Sequence, residues 1–102
     1  MQQTVIPRRD LVLSKLAAHH GDLAASGVRS LFLFGSVARD EARDGSDVDL
    51  LVEFDRRVGF FALFRIQAQL ESWLGIPVDL VTQDALRAEM RDRVWREALR
   101  AA

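Results

Sequence analysis

The chain contains no cysteine. Disulfides, thiolate nucleophiles and Cys-ligated zinc are therefore excluded. No apolar run approaches the length needed to span a membrane, and Met1 to Asp10 holds no apolar signal core. The cytoplasm is the expected location. Net charge is nearly absent as well: 14 basic residues face 15 acidic ones, for a formal −1. That balance gives no electrostatic case for a nucleic-acid or membrane surface, so neither is expected as a direct partner. Lysine is almost missing, since Lys15 stands alone beside 13 arginines; genome composition explains that bias more readily than function does. Repeats, low-complexity tracts and linkers are also lacking. What remains is an ordinary globular composition, 49% hydrophobic and 28% charged over 102 residues. Residues 1–102 read as one domain with a modest core.

The apolar spacing predicts three helices and three strands. Pro7 starts a helix whose Leu13, Leu16, Ala17, His20 and Leu23 share one face. Gly21 is expected to break that helix and Gly27 to end the region. Val28 to Phe34 is apolar on both faces and reads as a central strand. Val48 to Phe54 is the second strand, with Val48, Leu50, Val52 and Phe54 inward and Asp49 and Glu53 on the other side. Gly59 to Leu74 carries Phe60, Leu63, Ile66, Leu70 and Trp73 at helical spacing, with Gly75 as its stop. Ile76 to Val81 is a third strand with Asp79 opposite Val78 and Leu80. Gln83 to Leu99 closes the chain as a helix striped by Leu86, Met90, Val94 and Ala98, with Glu89–Arg93 and Asp92–Arg96 as surface pairs. The class is α/β (α+β): a small mixed β-sheet flanked by helices, in the order αβ(α)βαβα. A helix joins the second and third strands, which predicts a parallel pair. The short excursion between the first two allows an antiparallel pair.

In that arrangement the end of strand one and the starts of strands two and three share one edge. Gly35, Ser36, Asp47, Asp49 and Asp79 converge there. Strand residues i and i+2 look the same way about 7 Å apart, so Asp47 and Asp49 repel unless a cation lies between them. Hard divalent ions take oxygen ligands, and Mg²⁺ commonly binds one or two carboxylates plus substrate phosphates. Three carboxylates at one edge suit a two-metal site for in-line displacement. Gly35 lets a ligand approach the backbone, Ser36 offers a hydroxyl and an amide, and Arg39 one turn on can neutralise a phosphate oxygen. The chemistry implied is transfer at phosphorus, driven by positioning and charge neutralisation. An unpaired Asp79 within an otherwise apolar strand is costly, which favours a ligand role for it.

Leu33-Phe34-Gly35-Ser36-Val37-Ala38-Arg39, then Ser46-Asp47-Val48-Asp49-Leu50-Leu51-Val52, then Val78-Asp79-Leu80-Val81-Thr82 resemble the minimal nucleotidyltransferases (MNT type) of the polymerase-β-like superfamily. The resemblance covers nearly the whole chain and implies the αβαβαβ nucleotidyltransferase core. It implies that Asp47 and Asp49 hold both metal ions, Mg²⁺ or Mn²⁺. Asp79 would complete the catalytic-metal site and favour deprotonation of the acceptor hydroxyl, while Gly35 and Ser36 hold the nucleotide triphosphate. Members of this family are commonly antitoxins of HEPN-domain ribonuclease toxins, and they transfer AMP from ATP to a toxin tyrosine. The chain departs from the family at Asp40, where a glycine usually follows the Ala-Arg pair.

A plainer reading exists for each feature. His19 and His20 lack a metal-ligand spacing partner and read as surface and core-rim residues. Phe60, Phe61 and Phe64 cannot all face one core stripe, so some of them are available to a partner. Trp95 lies off the last helix's main stripe and is a candidate subunit contact. A non-catalytic antitoxin that neutralises by contact alone is the rival from another class, but pure binding needs none of Ser36, Asp47, Asp49 or Asp79. A third reading, transfer to a small molecule or an RNA end, is disfavoured by the lack of an acceptor domain and of a basic bias. With the chain spent on the catalytic core, the acceptor must bring its own surface or a second copy must help.

Overall fold

The computed structural model describes residues 8–43 and 45–102; the helix start assigned to Pro7 lies outside them. Two helices lead, α1 (Arg8–Ala18) and α2 (His20–Ala25). They are followed by β1 (Val28–Phe34), the single-turn α3 (Gly35–Ala38), β2 (Val48–Phe54), α4 (Phe60–Leu74) and β3 (Val78–Thr82). A short 3₁₀ turn (Gln83–Ala85), α5 (Ala88–Glu97) and β4 (Leu99–Arg100) close the chain. The four strands lie in the order β3-β2-β1-β4. β1 runs antiparallel to β2 and to β4, whereas β2 and β3 are parallel. This is the anticipated mixed α/β sheet, with a fourth strand added beside β1. Among the described residues no helix is long and apolar enough to cross a membrane.

Period-two alternation sends Val48, Leu50 and Val52 into the main core. There they meet Leu31 and Leu33 of β1, Leu16 of α1 and Leu70 of α4. Leu51 is fully buried too, but on the opposite face and outside that cluster. Its register partner Phe32 meets Trp95 of α5 edge to face, with centroids 4.8 Å apart. Trp95 therefore packs within its own chain. Both faces of the sheet are covered in part, and the second is covered from the C-terminal end.

Several local expectations shift. The first helix breaks at His19, and Gly21 lies inside α2. That break turns His19 to the half-buried side, where it stacks on Trp73 at 3.8 Å and meets Asp22 Oδ2 at 3.1 Å, while His20 is exposed. In α4 the buried stripe is Ile66, Leu70 and Leu74, and Gly75 ends the helix at φ 72°. Phe60 is not part of that stripe. With Phe61 and Phe64 it is 79%, 85% and 62% exposed, in that order.

The last helix begins at Ala88, five residues after the expected start at Gln83. Leu86 and Arg87 are extended (ψ 139° and 147°), and the helix stops before Ala98. Leu99 then pairs with Leu33 and Arg100 with Phe32. The surface pairs differ as well. Arg93 meets Glu97 at 3.6 Å, and Arg96 donates to the Asp92 carbonyl rather than to its carboxylate.

Candidate active site

The strand registers line up Phe34 with Asp49 and Asp49 with Asp79. The edge inferred from the sequence is real: the end of β1 and the starts of β2 and β3 lie side by side. Asp47 falls just before β2, and Asp49 is its second residue. The start of β3 is clamped by α4, because Glu71 accepts from the Val78 amide at 2.8 Å and Gln67 donates to its carbonyl at 3.0 Å. Val48 N donates to Pro77 O at 3.0 Å, which fixes β2 against the same point. Asp79 is thus placed by its neighbour's hydrogen bonds on both sides.

Gly35 follows β1 at φ 76°, a left-handed conformation that side chains disfavour. A Cβ there would run into Asp49 Oδ2 and lie 3.0 Å from its Cγ. Only glycine lets the backbone press against this carboxylate. Ser36, next in α3, is half-buried. The Glu41 amide donates to the Ser36 carbonyl at 2.8 Å, and Arg43 and Ser46 close the following turn through two bonds of 2.9 Å. That turn delivers the chain to Asp47.

The electrostatics single out Asp49. Its carboxyl is raised above 3.8, first by burial and then by the charges of Asp79 and Asp47, with Arg39 pulling the other way. Asp79 itself is exposed on the edge strand β3. The desolvation cost expected at Asp79 falls on Asp49 instead, because β2 is internal and β3 is not. Among the described residues, no three His, Cys, Asp or Glu groups already stand in a metal-binding cluster. The carboxylates feel one another's charge without closing on a common point. Their chemistry nonetheless fits a hard divalent ion: all donors are oxygen, like charges press on Asp49, and Gly35 keeps the approach open.

Arg39 caps α3, and its guanidinium is held by two other carboxylates. Its Nε donates to Glu41 and its Nη1 to Glu97, each at 3.0 Å. Both partners raise its pKa, Glu41 through its hydrogen bond most of all. Glu97 is 58 residues away in the chain, so no local sequence signal could have joined the two. Asp40, in the family's glycine position, has φ 59° and is the one described non-glycine residue with positive φ. Its exposed side chain marks a turn requirement, which glycine meets without strain and aspartate tolerates.

A family model described as a nucleotidyltransferase domain matches residues 14–102, and the chain belongs to that family. It is a nucleotidyltransferase by fold and by descent. It is 38% identical over 87 residues to the protein adenylyltransferase MntA of Thermococcus cleftensis, a match spanning 84% of this chain and 88% of that relative. Among solved structures, it resembles a chain described as a minimal nucleotidyltransferase, with a TM-score of 0.78 and 36% identity over 89% of this chain and 93% of the other. It also resembles a chain of the tri-AMPylated Shewanella oneidensis HEPN toxin in complex with MNT antitoxin. That TM-score is 0.65 at 20% identity, covering 92% of this chain and 71% of the other. At such identity the likeness concerns the fold alone.

Proposed function

We propose that this nucleotidyltransferase moves AMP from ATP to a hydroxyl, a tyrosine, of a HEPN-type toxin and so acts as its antitoxin. The observation that carries the reading is the row of Asp49 and Asp79 across adjacent strands with the Gly35 backbone pressed against Asp49. The name of the Thermococcus relative supports protein adenylylation, and the Shewanella complex supports a HEPN toxin as acceptor. We take residues 1–102 as one catalytic domain to which the acceptor brings its own surface.

In this reading Asp47 and Asp49 hold Mg²⁺ or Mn²⁺, and Asp79 completes the set. The ion supplies charge neutralisation at the phosphates and lowers the cost of the in-line transition state. Gly35 and Ser36 seat the triphosphate, and Arg39 lies beside it. Asp79, exposed on the edge strand, favours deprotonation of the acceptor hydroxyl. The acceptor oxygen bonds to the α-phosphorus, the bond to the bridging oxygen breaks, and pyrophosphate leaves.

The test is intact-mass measurement on the cognate toxin after incubation with this protein, ATP and Mg²⁺. A gain of about 329 Da per transfer is expected, a chemical mass of one AMP residue. The modified toxin should stay inactive after the two proteins are separated, and Asp49→Asn should give neither result. An unmodified toxin neutralised equally by the parent and by Asp49→Asn would establish inhibition by contact instead.

A further inference from the structure

Arg39 links two groups of carboxylates: its amide donates at 3.1 Å to the carbonyl of Gly35, the residue pressed against Asp49, and its guanidinium holds Glu41 and Glu97. On one side are Asp47, Asp49 and Asp79, none of which has an ion pair among the described residues. On the other are Glu41 and Glu97, and both side-chain hydrogen bonds of Arg39 go to these two. The field of Arg39 nevertheless reaches Asp49, whose carboxyl it pulls downward. A guanidinium carries five donors on a long stem and seeks paired carboxylates. Left untethered, it would be drawn to the more negative group.

The two tethers are unequal. Glu41 is 64% exposed, in a loop where solvent screens the pair. Glu97 is 22% exposed, ends α5, and is also approached by Arg93 at 3.6 Å. Helix α5 is in turn anchored by buried Val94 and by Trp95 against Phe32. Glu97 is the firm point.

We propose that Glu97 is a positioning residue: by pinning the Arg39 guanidinium to the end of α5, it keeps that cation beside the carboxylate row and off it, so that Asp47, Asp49 and Asp79 remain free to take a divalent ion. The C-terminal segment, which contributes no ligand, thereby controls access to the centre. This rests on the carboxylate row being the metal site proposed above. The device is electrostatic competition: an Arg39 released from Glu97 would occupy the place of the metal.

The test is Mn²⁺ binding to the nucleotide-free protein, followed by the electron paramagnetic resonance of free Mn²⁺ at low salt and again in 1 M NaCl. Glu97→Gln is expected to weaken binding about three- to fivefold at low salt, the scale of one partly exposed ion pair, and part of that loss should persist in 1 M NaCl because a contact pair at half-buried Asp49 is screened less than a distant charge. Screening over about 3 Å at 1 M salt removes the effect of merely losing a distant charge. Adding Arg39→Ala to Glu97→Gln should restore binding to near the parent, because the competitor is gone. Glu97→Asp, which keeps the charge but withdraws it by one methylene, should also bind Mn²⁺ less well and guards against a folding defect peculiar to the glutamine variant. Parental Mn²⁺ affinity in Glu97→Gln at 1 M NaCl, or a double variant as weak as the single, would overturn the proposal. If Asp49→Asn binds Mn²⁺ as well as the parent does, the carboxylate row is not the metal site, and that failure is separately visible.

Discussion

Replacing Asp49 with asparagine should make the protein more stable while removing its transfer activity. Asp49 is half-buried, next to Asp79 across the β2–β3 pair and two residues from Asp47. Adjacent strands lie about 4.8 Å apart and residues i and i+2 about 7 Å apart. At about 6 Å, with an effective dielectric of about 40–80 for so open a site, each like-charge contact costs about 0.7–1.4 kcal/mol. The attraction of Arg39 offsets part of that sum. The net gain expected from Asp49→Asn is about 1 kcal/mol, or roughly 4–8 °C in Tm for a domain of this size.

The pH dependence separates charge from other causes. In the folded state the Asp49 carboxyl is raised above its ordinary 3.8, so between the unfolded and folded values the native protein binds more protons than the unfolded chain. Its contribution to stability is then fully present below the unfolded value and is lost as pH rises through the folded one. The gap between Asp49→Asn and the parent should be close to nil below about pH 3 and complete at pH 7. Urea unfolding in EDTA at several pH values, monitored by Trp73 and Trp95 fluorescence, measures it. An asparagine variant no more stable at pH 7, or a gap of equal size at both ends, would refute the electrostatic account of this edge.

Other substitutions probe the backbone and the packing. Gly35→Ala should cost at least about 1–3 kcal/mol, since it adds left-handed strain and forces a Cβ into Asp49; near-parental stability would mean that the close approach is relaxed in solution. Asp40→Gly should leave transfer equal or improved and Tm equal or higher, because glycine adopts φ 59° freely; complete loss of activity would show that the Asp40 side chain has a role of its own. Leu50→Ala, at a fully buried position, should cost about 2–5 kcal/mol. Phe61→Ala, at a side chain 85% exposed, should stay within about 0.5 kcal/mol; denaturation curves that rank the two the other way would contradict the assigned α4 faces.

Legibility followed the range of the determining interactions. β1 and β2 were readable to the residue because each carries its own alternation or apolar run between turn signals, and the Gly35, Asp49 and Asp79 row follows from strand order alone. The α4 stop at Gly75 was equally local. Phe60 misled because hydrophobic spacing cannot tell which of two apolar faces a helix buries, and α4 is apolar on both through its first turns. The C-terminal segment misled for a different reason. Leu86, Met90, Val94 and Ala98 do recur at helical spacing, yet Leu86 and Arg87 are extended, and Ala98 to Arg100 leave the helix to pair with β1. Nothing within those residues announces that β1 has a free edge waiting for them.

That missed strand bears on the site. β4 pairs with Phe32 and Leu33 of β1, just before Phe34 and Gly35. The pairing therefore brings the end of α5, and Glu97 with it, to the same edge as the carboxylate row. Had the last helix run on to Leu99, as its stripe suggests, Leu99 would not meet Leu33, and Glu97 would lose the pairing that holds it within reach of Arg39. A two-residue strand of small packing value thus sets the position of the cation whose charge acts on Asp49. It also explains why reading motifs one at a time finds the acidic row and overlooks what restrains its neighbour: the row is specified within three strands, while the restraint depends on a contact across 58 residues.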